Sequence, residues 1–168
     1  SEARTPATAT GGTGKKGKER LARLMEDNPT LRADLSEALQ DADWVVRRDA
    51  VLTLAQAPAD HAVPRLLVAL GDEDNQVRMT AAATLANFKD ADPQVIPALL
   101  RALGDDDYLV SDAAKEALKR DGHAPIPGLL DALHDSNINI RGAAIEILGA
   151  IGESDAIPDI IDSLNDIR

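Results

Sequence analysis

The chain has no cysteine, which removes disulfides, thiolate metal centres and cysteine nucleophiles together. Aromatic residues are nearly missing too, with one Trp, one Tyr and one Phe in 168 residues. The interior therefore has to be filled by Ala, Leu, Val and Ile, and small side chains of that kind let helix axes approach closely. No apolar run reaches the roughly 18 to 20 residues that a membrane span requires, and the N-terminus lacks the apolar core of a secretory leader. The chain is expected to be soluble and cytoplasmic, without a membrane partner. Positive charge is also short. A net charge of −11 works against phosphate backbones, whose binding depends on Lys and Arg displacing counterions, so no nucleic-acid partner is expected. Asp outnumbers Glu, and Arg outnumbers Lys. That balance is compatible with a salt-loving source, and equally with a turn that demands Asp in every repeat.

What the chain does have is periodicity. An apolar residue followed by Ala four positions on and Leu eight positions on recurs at Val46-Ala50-Leu54, Val77-Ala81-Leu85, Val110-Ala114-Leu118 and Ile140-Ala144-Leu148. The steps between these are 31, 33 and 30 residues. Between them runs a second pattern: Val63-Pro64-Leu67-Leu70, Ile96-Pro97-Leu100-Leu103, Ile126-Pro127-Leu130-Leu133 and Ile157-Pro158-Ile161-Leu164. Both patterns space apolar residues three or four apart, which is the helical period. Each proline is expected in the first turn of its helix, where a missing N–H costs nothing. Gly71 and Gly104 are expected to act as C-terminal stops. Asp41-Ala42-Asp43, Asp72-Glu73-Asp74, Asp105-Asp106-Asp107 and Asp135-Ser136-Asn137 precede the second helices and offer N-cap oxygens.

A two-helix unit of about 31 residues in tandem is an all-α fold, an α-solenoid of antiparallel helix pairs. The repeats are placed at about 41–71, 72–104, 105–134 and 135–168, behind an N-terminal cap over 19–40. Residues 1–18, built of Ser, Thr, Ala, Gly and Lys, are expected to form a disordered basic tail. The C-terminal helix expected over 155–167 has apolar residues beyond what one neighbour covers. That favours a longer parent protein, a partner contact or weak self-association; otherwise the chain is a monomer.

At these residues the chain resembles the HEAT-repeat family, in the short form also called phycobilisome-lyase HEAT-like repeats. The resemblance rests on a Pro-Leu-Leu first helix, an Asp turn and a Val-Arg-x-x-Ala-x-x-x-Leu second helix, in phase over roughly residues 29 to 168. It implies a right-handed superhelix, and an Arg at 47, 78 and 141 that ties each helix to the neighbouring turn. Ser111 departs from that pattern, so the third repeat is expected to be looser.

Catalytic motifs fail one by one. Gly11-Gly12-Thr13-Gly14-Lys15-Lys16 lacks the first glycine of a phosphate-binding loop, where Ala9 stands, and the hydroxyl residue after the lysine. Asp105-Asp106-Asp107 runs into Tyr108-Leu109-Val110 and cannot be a calcium loop. His61 and His123 lie about two repeats apart, roughly 20 Å at 8–10 Å per packed helix, too far to share a metal. Iron-binding members of the family carry His-Glu pairs, and none occurs here. No enzyme activity, metal or cofactor is expected.

In the family the second helices line the concave face, so their outward positions are the candidate site. The residues singled out are Trp44, Val45, Arg48 and Leu52, then Gln76 and Met79, then Tyr108, Leu109, Asp112 and Glu116, and finally Ile138 and Asn139. The only Trp and the only Tyr fall at one repeat position, and large exposed aromatics are enriched at binding hot spots. Counting Arg48 against Asp49, Asp112, Glu116 and Glu146 makes this face acidic. The expected partner is a protein offering a basic, partly apolar helix or segment. The alternative implied by the resemblance is an accessory lyase or chaperone for a chromophore.

Overall fold

The computed structural model describes residues 29–120, 126–152 and 161. The expected tail and cap helix before residue 29, His123, and the C-terminal helix apart from Ile161 lie outside the described residues. Among the described residues the chain is helical and has no strand. The order is α1 (Pro29–Ala38), α2 (Trp44–Leu54), α3 (Ala59–Ala69), α4 (Asn75–Leu85), a 3-10 turn (Ala86–Phe88), α5 (Val95–Ala102), α6 (Tyr108–Lys119), α7 (Ile126–Ala132) and α8 (Ile138–Ile151). The even-numbered helices are the second helices of the repeats. They form one row, and α1, α3, α5 and α7 form the other.

Each turn is built by two short side chains acting in sequence. The Asp41, Asp72, Asp105 and Asp135 carboxylates accept from the backbone N–H two residues on, at 2.7 to 2.9 Å. Asp43, Asp74, Asp107 and Asn137 then cap α2, α4, α6 and α8 through the N–H of Val45, Gln76, Leu109 and Asn139. Every one of these caps satisfies an amide that the helix itself cannot.

The core is a continuous line of aliphatic side chains. Val51, Leu54, Leu66, Leu85, Leu99, Leu103, Leu118, Leu129, Leu133, Ile147 and Leu148 are fully buried. Alanines at 81, 82, 114, 117 and 144 are buried between the second helices, so that α4 packs more extensively against α2 and α6 than α5 does against α3 and α7. Closer packing on one row than on the other curves the stack toward the closer row. The second-helix row is therefore the inner one.

Two local expectations are corrected. Pro64 does not sit in a first turn: α3 begins at Ala59 after Pro58, leaving Pro64 inside the helix. The helix starts early because Ala62 and Val63 bury against the core. The cost is the amide that would have bonded Asp60. Pro97 and Pro127 do lie in first turns. Gly71 and Gly104 are not left-handed stops either, since among the described residues only Gly152, closing α8, has a positive φ of 77°. Gly104 is required by close approach instead. A Cβ there would stand 2.9 Å from both Asn137 Nδ2 and Ile140 Cδ1 in the next repeat.

Candidate binding face on the second-helix row

The inner row is held in register by arginines that reach across repeats. Arg47 forks onto Asp72, with Nε to Oδ2 and Nη2 to Oδ1 both at 2.8 Å, while its Nη1 donates to the carbonyls of Asp41 and Ala42. Arg78 repeats this one unit later. It forks onto Asp105 at 2.8 and 3.0 Å and donates to the carbonyls of Asp72 and Glu73 at 2.9 and 3.1 Å. Paired, charge-assisted forks of this kind are both strong and directional. Burial pushes the Asp72 carboxyl up, but the hydrogen bond and charge of Arg47 outweigh it and hold the group below the usual carboxylate range. Asp105 is held down in the same way by Arg78.

The pattern changes after the second rung. Ser111 takes the third position, and its hydroxyl donates to the Leu103 carbonyl at 2.9 Å. In keeping with the looser third repeat expected, α6 packs less extensively on α8 than α4 does on α6, although Gly104 lets Asn137 and Ile140 of the next repeat approach its turn closely. Arg141 fills the fourth position and donates to the carbonyls of Asp135 and Ser136 at 2.8 and 3.1 Å. Its Nε is buried and has no acceptor among the described residues.

The outward residues of the row are mostly where the sequence placed them. Trp44, Leu52, Tyr108 and Ile138 are 37%, 52%, 71% and 58% exposed, and Leu109 and Asn139 are exposed as well. Val45, Arg48, Gln76, Met79 and Asp112 are half-buried, and Glu116 is exposed. Trp44, Tyr108 and Ile138 each begin a second helix, so they follow one another along the edge where those helices start. The second repeat interrupts that edge. Asn75 stands at the matching position, and its amide donates to the Asp107 carboxylate, holding Asp107 below its ordinary range. Trp44 is steadied by its own helix, with the Arg48 guanidinium 5.3 Å from the ring centroid, a cation–π distance. The Tyr108 hydroxyl donates to Asp112 Oδ1 at 3.5 Å, the long limit of a hydrogen bond.

The acidity expected of this face is largely neutralised. Lys115 pairs with Glu146 at 2.9 Å and Asp112 at 3.3 Å, while Lys119 pairs with Glu116 and Glu146, both at 3.1 Å. Arg48 pairs with Asp49 at 2.8 Å. Three cations therefore stand against the four carboxylates counted in the sequence. Hydrogen bonds from Lys115 and Lys119 lower the Glu146 carboxyl below its ordinary value, and the Lys115 ammonium is raised in return by Glu146. Sequence reasoning missed both lysines because they fall outside the outward stripe of α6. Their four-residue spacing and long stems were the signal, since they reach from α6 to α8.

Two other features bear on chemistry. The Lys89 ammonium is buried and donates at 2.6 Å to the Ala117 carbonyl, which completes the last turn of α6. His61 Nε2 lies 4.0 Å from Asp60 Oδ2 in α3, remote from the row, and His134 is exposed. Among the described residues no three His, Cys, Asp or Glu side chains come together as metal ligands, and no helix is long and apolar enough to cross a membrane.

These features define an α-solenoid whose inner row of helices carries an exposed, partly apolar face. The chain belongs to the HEAT-repeat family: the family profile described as HEAT repeats matches residues 31–119, more than half of its length. The profile described as PBS lyase HEAT-like repeat matches residues 140–166. Among solved structures, the crystal structure of an engineered protein is similar at 23% identity. It covers 81% of this chain and 70% of its own, with a TM-score of 0.50, a likeness of fold alone. No curated protein matches the chain in sequence.

Proposed function

We propose that the protein is a non-catalytic interaction scaffold that holds a partner protein against the inner row formed by α2, α4, α6 and α8. The observation that carries this reading is the alignment of Trp44, Tyr108 and Ile138, all exposed, at the starts of three second helices. Large side chains standing in water cost solvation unless something covers them, and aromatics bury much area at small entropic cost. Repeat stacking turns such positions into an extended surface. Because Lys115 and Lys119 already neutralise much of the face, the partner is better matched by apolar side chains with a few cations than by a uniformly basic segment. The outer row has its own exposed residue, Val68 at 77%, which serves as a control. A photo-crosslinking residue placed at Leu52 or Leu109 should capture one and the same protein in cells, and one placed at Val68 should not. Equal capture from Val68 would remove the inner row from consideration.

The chromophore-lyase alternative draws on the PBS lyase HEAT-like repeat match over residues 140–166. It predicts a visible absorbance or a quenched pigment when the protein is mixed with a linear tetrapyrrole. The scaffold reading predicts an unchanged pigment spectrum.

A further inference from the structure

The junctions between neighbouring second helices are not built alike. The Arg47 fork onto Asp72 spans α2 to α4, and the Arg78 fork onto Asp105 spans α4 to α6. The second junction is doubled, because Asn75 also donates to Asp107. Between α6 and α8 both devices are replaced. Ser111 stands where the arginine would and donates back to the Leu103 carbonyl. Tyr108 stands where Asn75 would and donates to Asp112 of its own helix. The packing follows the bonding: α6 meets α8 less extensively than α4 meets α6. A groove of about 410 Å³ opens between them, with Tyr108 and Ser111 on one side and Ile138 and Gly142 on the other.

The looseness is one-sided. At the turn, a Cβ on Gly104 would stand 2.9 Å from both Asn137 Nδ2 and Ile140 Cδ1. On the outer row α7 packs on α5 no less extensively than α5 does on α3, and a Cβ on Gly128 would run into Leu100 Cδ1. Two close-packed edges and one open edge are the geometry of a hinge. The open edge is spanned by Glu146 of α8, whose carboxylate lies 2.9 Å from Lys115 Nζ and 3.1 Å from Lys119 Nζ of α6. The Glu146 side chain is 53% exposed, whereas those of Asp72 and Asp105 are 12% and 15% exposed. Exposed ion pairs are weak and screened by salt, while largely buried forks are screened much less.

We infer that the α6–α8 junction is a salt-sensitive hinge, pivoting on the turn and the outer row and latched on the inner row by Lys115 and Lys119 against Glu146. Latched, it holds Ile138 toward Tyr108 and keeps the inner row curved. Released, it widens the groove and flattens the row at this one place, while the two forked junctions keep their spacing. The hinge is a property of the array and does not require the scaffold reading. It adds that the curvature of the inner face is adjustable between its third and fourth second helices.

The absence of cysteine lets pairs of nitroxide labels be placed on the full chain without background. Leu52→Cys/Ala150→Cys spans the hinge, and Leu52→Cys/Leu109→Cys spans only the forked junctions; all three positions are exposed. Double electron–electron resonance reads the two distance distributions. Raising salt from about 0.1 to about 1 M, which shortens the screening length from about 10 to about 3 Å, should broaden the hinge pair at least twofold and leave the control pair unchanged. Glu146→Gln should broaden the hinge pair at both salt concentrations. Ser111→Arg, which supplies the missing fork, should narrow it and remove its salt response. A hinge pair indifferent to both salt and Glu146→Gln would overturn the inference, as would broadening shared equally by the control pair. Breadth that persists in a folded Ser111→Arg variant would also overturn it, placing the motion in α8 itself. If Ser111→Arg does not fold, salt and Glu146→Gln decide between the outcomes.

Discussion

Arg78 in α4 and Asp105 at the head of the next turn meet through two hydrogen bonds, Nε to Oδ2 at 2.8 Å and Nη2 to Oδ1 at 3.0 Å. The same guanidinium also ties down two carbonyls of its own turn. One side chain thus fixes the spacing between repeats on the inner row. Replacing Arg78 by Met should strand a carboxylate that is only 15% exposed. The expected loss is about 2–4 kcal/mol, the range for breaking a largely buried charge pair. Urea denaturation would read this as a lower midpoint with an unchanged slope.

The same rungs set an acid limit. Asp72 and Asp105 are both held below their ordinary carboxylate range in the folded chain. Their contribution is therefore fully present above the unfolded value of about 3.9 and is lost as pH falls through the lower folded value. Thermal midpoints measured from pH 7 downward should be flat to about pH 4.5 and then fall. The fall should be shallower in an Asp72→Asn/Asp105→Asn variant, which starts from a lower midpoint.

The two turn glycines should respond in opposite ways to alanine. At Gly104 the added Cβ would meet Asn137 and Ile140 at 2.9 Å, and overpacking of this kind costs about 1–3 kcal/mol. At Gly71 the nearest atom is the Val68 carbonyl at 3.5 Å. Gly71→Ala should be neutral or stabilise by up to about 1 kcal/mol through the unfolded state. Parallel denaturation curves of the two variants check this directly.

Much of the architecture was legible because its causes are local. The three-to-four spacing of Val77, Ala81 and Leu85 is enough to place a buried helical face, and an Asp two residues before an amide is enough to cap one. What was not legible depends on neighbours a repeat away. Pro64 reads as a helix start until Ala62 and Val63 are seen to bury and draw the helix back by a turn. Gly104 reads as a stop until Asn137 and Ile140 are found against it. The charge of the inner face came out too negative because Lys115 and Lys119 reach Glu146 across repeats. Ser111 was visible in the sequence as a break in the arginine pattern. That its hydroxyl turns back to the Leu103 carbonyl could be seen only in three dimensions.

The most direct measurement of the central claim is affinity for a captured partner, compared between wild type, Trp44→Ala/Tyr108→Ala, and the outer-row control Val68→Ala. All three should keep the same helical signal, since surface substitutions of this kind usually stay within about 0.5 kcal/mol in stability. The inner-row reading predicts at least a tenfold loss for the double variant and no change for Val68→Ala. Equal affinity in all three, or loss only with Val68→Ala, would contradict it and move the interaction off the second-helix row.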